Sequence, residues 1–231
     1  MLILGLQKTT LLDYPGKVAS TIFTGGCNFK CPYCHNSELV MPPADAMAYS
    51  MDEIFDHLNK KKKVLDGVCI TGGEPTLHRD LPEFIKQIKD MGLLVKLDTN
   101  GTNPDMVQSL IDNRLIDYVA MDIKHSKEKY NSIACMHNFD IGPIDSSVKL
   151  LMKGDIDYEF RTTIMKECHE IEDMESIGKW LAGAKAYYLQ SYKESENVIN
   201  PIFSPHSIET LKSFVDLLKP YIPNTALRGI D

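Results

Sequence analysis

The 231-residue sequence has no apolar run approaching the roughly eighteen residues that a bilayer-crossing helix requires. Its first segment, MLILGLQKTTLLDYPGK, lacks the charged leading region and small-residue cleavage site of a secretory signal. The expected compartment is therefore the cytoplasm, with no membrane partner. Basic charge is also scarce: 25 Lys plus Arg stand against 32 Asp plus Glu, a formal net charge of −7. A dedicated nucleic-acid binder ordinarily shows the opposite balance, so no nucleic-acid partner is expected. Repeats, linkers and low-complexity stretches are missing too, which favours one domain over residues 1–231. A hydrophobic share of 43% and a charged share of 25% exclude disorder, collagen and coiled coil.

Six cysteines are present, three bunched at Cys27, Cys31 and Cys34 and three standing alone at Cys69, Cys135 and Cys168. A reducing compartment and a chain large enough to bury its own core argue against a disulfide scaffold. Three thiols within eight residues have the look of metal ligands. Cys69 lies in an apolar run and reads as a small core residue.

Apolar, β-branched runs recur at 18–23, 68–71, 93–97, 118–122, 158–164 and 186–190, which makes six candidate strands. Helical patterns fall between them. Ser50 and Glu53 form a capping box before Met51, Ile54 and Leu58. Asp80 and Pro82 open a second helix that Gly92 is placed to end in the left-handed conformation. Asn103-Pro104 opens a third and Pro143 precedes a fourth; Met174, Ile177 and Trp180 stripe a fifth, and Ser204-Pro205 leads into a sixth. Alternation of strand and helix predicts right-handed β-α-β units on a parallel sheet. A complete eight-unit barrel takes about 250 residues, so six units predict a partial (β/α)6 barrel of parallel strands, open on one side.

The loop after the first predicted strand, residues 25–36, reads Gly-Gly-Cys-Asn-Phe-Lys-Cys-Pro-Tyr-Cys-His-Asn. Thiolate sulfur selects zinc or an iron–sulfur cluster over hard cations. With His35 as fourth ligand the loop suits a structural zinc in a non-catalytic interaction module. With the three cysteines alone it suits a cubane cluster that leaves one iron open, since such clusters ordinarily take four cysteines.

Cys27-x3-Cys31-x2-Cys34, with Tyr33 just before the third cysteine, resembles the signature of the radical S-adenosylmethionine (SAM) superfamily. Asp13-Tyr14-Pro15-Gly16, the Phe23–Phe29 run and Cys31–Asn36 resemble, more narrowly, activating enzymes of anaerobic ribonucleoside-triphosphate reductases, relatives of the pyruvate formate-lyase activating enzyme. The resemblance implies a 4Fe–4S cluster on Cys27, Cys31 and Cys34 with SAM on its open iron, a glycyl-radical enzyme as protein substrate, and a flavodoxin or ferredoxin type electron donor. Residues 37–50 leave no room for a further cluster-bearing insert, so a single cluster is expected.

Three more segments close predicted strands, at the rim where parallel barrels collect their active sites. Thr71-Gly72-Gly73-Glu74-Pro75 reads by itself as a tight turn; beside the cysteine loop it resembles the segment that binds the SAM amino group, with Glu74 facing the ammonium. Asp98-Thr99-Asn100-Gly101 reads as a turn with local hydrogen bonds, and Asp122-Ile123-Lys124 as a strand-end ion pair. The resemblance adds Asn100 and Tyr33 to the cofactor residues and sets a monovalent cation near Asp98, Thr99 and Asp122. It implies further that Lys124 lies near SAM, that Arg161 faces its carboxylate, and that Gln190 stands where relatives carry a histidine. A different glycyl-radical partner or a small-molecule substrate are alternatives that keep the same cofactor chemistry.

Overall fold

A computed structural model describes residues 1–195 and 198–229. These residues pack as two compact units. The first comprises Met1–Asn28 and Asn36–Ala120, and the second Phe29–His35 and Met121–Asp231.

In the first unit β1 (Ile3–Thr10) runs antiparallel to β2 (Ala19–Thr24), which pairs in parallel with β3 (Gly67–Gly72), and β3 with β4 (Leu94–Thr99). The strands β2 and β3 are buried nearly throughout, as a parallel sheet covered by helices requires. Helix Met51–Lys61 begins at the expected capping box: the Ser50 hydroxyl accepts from the Glu53 N–H, and the Glu53 carboxylate accepts from the Ser50 N–H. Such a cap contributes about 1 kcal/mol. Helices Leu81–Asp90 and Pro104–Asp112 follow, the first ending before Gly92 at φ +81° and the second capped by the Asn103 side chain on the Met106 N–H. Ile54, Leu58, Phe84, Ile85, Ile88 and Val107 bury the apolar stripes read from the sequence.

The strand β5 (Tyr118–Asp122) contributes residues to both units. In the second unit β6 (Asp157–Ile164), β7 (Tyr187–Ser191) and β8 (Thr225–Arg228) pair in parallel in that order. Helices Gly142–Lys153, Ile171–Trp180 and Ile208–Leu218 accompany them. Register matches Arg161 with Tyr188, Thr163 with Gln190, and Gln190 with Arg228. Side chains alternate along strands, so Glu159, Arg161, Tyr188, Gln190 and Arg228 share one face. Arg228 pairs with the buried Glu159 and lies 3.4 Å over the Tyr188 ring.

All six expected strands form, displaced by at most two residues. Two more are present: β1, whose antiparallel pairing departs from an all-parallel pattern, and the four-residue β8. Short helices at Ser37–Val40 and Tyr130–Ala134 are additional to that pattern, and the last helix, entered through Ser204-Pro205, is capped by Ser207 on the Thr210 N–H. Among the described residues no helix is long and apolar enough to cross a membrane.

Candidate cofactor site

In the first unit, the start of the cysteine loop and the Gly-Gly-Glu turn are joined main chain to main chain. The Gly73 N–H donates to Thr24 O at 2.8 Å and the Glu74 N–H to Gly26 O at 2.8 Å. A Cβ on Gly73 would stand 2.0 Å from Gly26 O, and one on Gly72, at φ +116°, would stand 2.4 Å from the Thr24 backbone. The close approach that these glycines permit is thus to the chain's own backbone.

Glu74 is 1% exposed. Its Oε1 accepts from the Thr76 N–H (3.1 Å), the Thr76 hydroxyl (2.6 Å) and the Thr99 hydroxyl (2.8 Å), while Oε2 accepts from the Asn100 N–H at 2.6 Å. Burial raises its pKa against the pull of these bonds. The carboxylate expected to face an ammonium group is therefore committed inside the fold, because four donors of its own unit enclose it. It ties the Gly-Gly-Glu turn to the Asp98–Gly101 turn.

That second turn reaches back to the cysteine loop. Asn100 Nδ2 donates to Asn28 Oδ1 at 2.8 Å and approaches Cys27 Sγ at 3.9 Å. Its Oδ1 accepts from Thr102, whose hydroxyl also takes the Asn28 amide at 2.9 Å. Asp98 is ion-paired with Lys96, a lysine 2% exposed on β4.

In the second unit Asp122 stands between two cations. Lys124 Nζ is 3.0 Å from Oδ2, and Arg161 Nε and Nη2 are each 3.0 Å from Oδ1. Burial alone would raise the Asp122 pKa, but Arg161 and Lys124 hold it at about 2. For Lys124 burial opposes the charge, and Asp122 with Tyr33 and Cys31 more than offsets it, keeping the ammonium charged. Lys124 Nζ also lies 5.8 Å from the Tyr33 ring centroid. Tyr33 is 4% exposed, yet its hydroxyl has no hydrogen-bond partner. Gln190 sits two residues beyond Tyr188 on β7, on the face that carries Arg161. His35, the candidate fourth zinc ligand, places Nε2 2.6 Å from Lys193 O and its ring against Tyr192.

Cys27 belongs to the first unit and Cys31 and Cys34 to the second; none of the three is in a disulfide, and Cys31 is buried. Among the described residues no three His, Cys, Asp or Glu side chains form a ready-made cage for a bare ion. The donor chemistry, three thiols in one eight-residue loop, fits an iron–sulfur cluster. The orphaned Tyr33 hydroxyl fits a polar ligand beside that loop, because a buried hydroxyl without a partner is costly unless something bound satisfies it. The residues expected around a monovalent cation do not fit one: Asp98 is taken by Lys96, the Thr99 hydroxyl donates to Glu74, and Asp122 is held by Lys124 and Arg161.

Residues 21–174 match the radical SAM superfamily. The chain belongs to that superfamily. Within it, the chain falls among the glycyl-radical enzyme activating enzymes: it is 33% identical, over 100% of its length and 97% of the relative's, to a provisionally named member from Methanocaldococcus jannaschii. Two solved structures share the fold. One is a domain of a pyruvate-formate lyase-activating enzyme from Bacteroides vulgatus, with TM-score 0.59 and 18% identity over 71% of this chain and 99% of that one. The other is Streptococcus suis SuiB bound to precursor peptide SuiA, with TM-score 0.72 and 15% identity over 90% of this chain and 48% of that one. The expected α/β fold is the fold of this radical SAM enzyme, with β1 antiparallel where parallel strands are expected.

Lys96 escaped the sequence reading. Its signal was present, a lysine in the middle of the apolar run Leu-Leu-Val-Lys-Leu, since lysine is almost never fully buried unless paired.

Proposed function

We propose that the radical SAM chain installs a glycyl radical on the large subunit of an anaerobic ribonucleoside-triphosphate reductase. The single observation that carries this reading is its full-length kinship to a protein named as a glycyl-radical enzyme activating enzyme. The Asp13–Gly16 and Phe23–Asn36 motifs narrow the partner. In this reading Cys27, Cys31 and Cys34 would hold a 4Fe–4S cluster; with one electron it would supply cleavage of the SAM sulfur–carbon bond to methionine and a 5′-deoxyadenosyl radical, able to take a hydrogen atom from a glycine Cα. The donor of that electron is of the flavodoxin or ferredoxin type, and the work is done in the cytoplasm.

The chain's own residues orient and shield. Lys124 and Arg161 present positive charge to the SAM carboxylate while Asp122 keeps both in place. Tyr33 offers its unpartnered hydroxyl to the bound cofactor, and Gln190 adds an amide on the Arg161 face. In the first unit this reading assigns the backbone at Gly72 and Gly73, the Asp98-Thr99 turn and Asn100 to SAM. Glu74 acts by holding these turns together.

The test is anaerobic reconstitution with iron, sulfide, SAM and reductant, followed by addition of either a reductase large subunit or a pyruvate formate-lyase. A glycyl-radical doublet in the electron paramagnetic resonance (EPR) spectrum is expected with the reductase. A doublet with the lyase alone would reassign the partner. SAM cleavage with neither protein labelled would point to a small-molecule substrate.

A further inference from the structure

The reaction proposed above leaves one buried cluster of the first unit without a task. Register between β3 and β4 sets Cys69 beside Lys96, and alternation along β4 puts Lys96 and Asp98 on the same face. The Lys96 ammonium donates to Asp98 Oδ1 and lies 3.7 Å from Cys69 Sγ, which is itself 3.7 Å from the same carboxylate oxygen. Side-chain exposure is 2% for Lys96 and 13% for Asp98, so both charges are largely withdrawn from water and each depends on the other.

An ammonium group carries the charge of one alkali cation. It is tethered here on a strand whose next residues form the Asp98–Gly101 turn, at the carboxylate for which the family resemblance supplies a free monovalent cation. The rest of the turn is also committed. The Thr99 hydroxyl donates to Glu74 and accepts from the Gly101 N–H at 3.1 Å, and Asn100 braces the Cys27-Asn28 loop. In the second unit Asp122 already has two cations of its own.

We infer that Lys96 is a tethered substitute for the monovalent cation: it neutralises Asp98, holds the turn that follows, and makes SAM binding by this chain independent of potassium or sodium. Lys96 is a positioning residue that acts through Asp98. The inference rests on the reading of SAM as the cofactor.

The test compares the full-length wild type with Lys96→Met in potassium chloride and in tetramethylammonium chloride. Two readouts are followed: SAM affinity of the reconstituted protein, and the thermal midpoint of the cluster-free, SAM-free protein. The wild type is expected to give the same affinity and midpoint in both salts. Lys96→Met is expected to unfold at lower temperature in tetramethylammonium, to recover in potassium or ammonium, and to regain SAM affinity about tenfold on that exchange. A wild type that loses affinity about tenfold without potassium would overturn the inference. So would a folded Lys96→Met indifferent to the salt in both readouts. Should Lys96→Met fail to fold, the wild-type arm still decides, together with Lys96→Arg, which keeps the charge and is expected to stay salt-independent. If SAM binds neither chain in either salt, the SAM reading falls, and the thermal response to potassium decides the role of Lys96 separately.

Discussion

Asn100 Nδ2 stands 3.9 Å from Cys27 Sγ, the first thiol of the cysteine loop, while the same nitrogen donates to Asn28 at 2.8 Å. A residue from the turn after β4 thus contributes a hydrogen bond to a sulfur three residues beyond the end of β2. Hydrogen bonds to ligating sulfur stabilise the more negative, reduced cluster. Asn100→Ala is expected to lower the cluster's reduction potential on the order of 50 mV, read by redox titration of the EPR signal, with iron content retained.

Cys27→Ala, Cys31→Ala and Cys34→Ala are each expected to abolish the wild-type content of about four irons per chain, measured with acid-labile sulfide after anaerobic reconstitution. Cys69→Ser is expected to leave the iron count unchanged, because Cys69 is fully buried beside Lys96, where its sulfur neighbours an ammonium and a carboxylate.

Lys124→Met removes one of the two cations on Asp122 and leaves every thiol in place. On the proposed reading, in which Lys124 meets the SAM carboxylate, its loss is expected to weaken SAM binding about ten- to a hundredfold, by equilibrium dialysis, at unchanged iron content. Weakening confined to the maximal rate, with affinity intact, would place Lys124 away from the carboxylate.

Acid sensitivity is expected from the histidine pair behind Lys124. His169 is fully buried, stacks on His125 at 4.9 Å, and places Nε2 3.2 Å from Lys124 O. Burial first, and then the neighbouring His125, push its pKa down to about 4. The unfolded chain takes up this proton near pH 6.5 and the folded chain only near 4. Stability from this group is therefore full above pH 6.5 and is lost as the pH falls towards 4, by about 3 kcal/mol. Urea midpoints measured across that range are expected to fall in the wild type and to flatten in His169→Gln.

The elements legible from the sequence are those with strong local signatures. β2 and β3 are short runs rich in apolar and β-branched residues, stopped by Gly-Gly pairs, and the helix at Met51–Lys61 announces itself by Ser50 and Glu53. β1 was hidden because Gln7, Lys8 and Thr9 interrupt its apolar pattern and its pairing is antiparallel; β8 has only four residues to signal a strand. The site was legible as four segments at strand ends, but the destination of each charge was not. Nothing local in Gly-Gly-Glu-Pro tells that Glu74 turns inward to Thr99 and Asn100, since both partners lie about 25 residues further along the chain. The Lys96–Asp98 pair depends on which face of β4 is enclosed, a property of the sheet and not of the strand.

The crossing of Gly26 and Gly73 bears on how such a protein can change over time. The bonds that seat the first cysteine run between peptide groups, Gly73 N–H to Thr24 O and Glu74 N–H to Gly26 O, and are owed to no side chain. Substitutions at surrounding positions can reshape the approach to the site or the partner it admits while the seat of Cys27 keeps its geometry. Of the residues in these two bonds, Gly26 and Gly73 are the ones where any added side chain is strained or would clash. The place where the first thiol stands thus rests in part on peptide geometry, which most side-chain replacements leave alone.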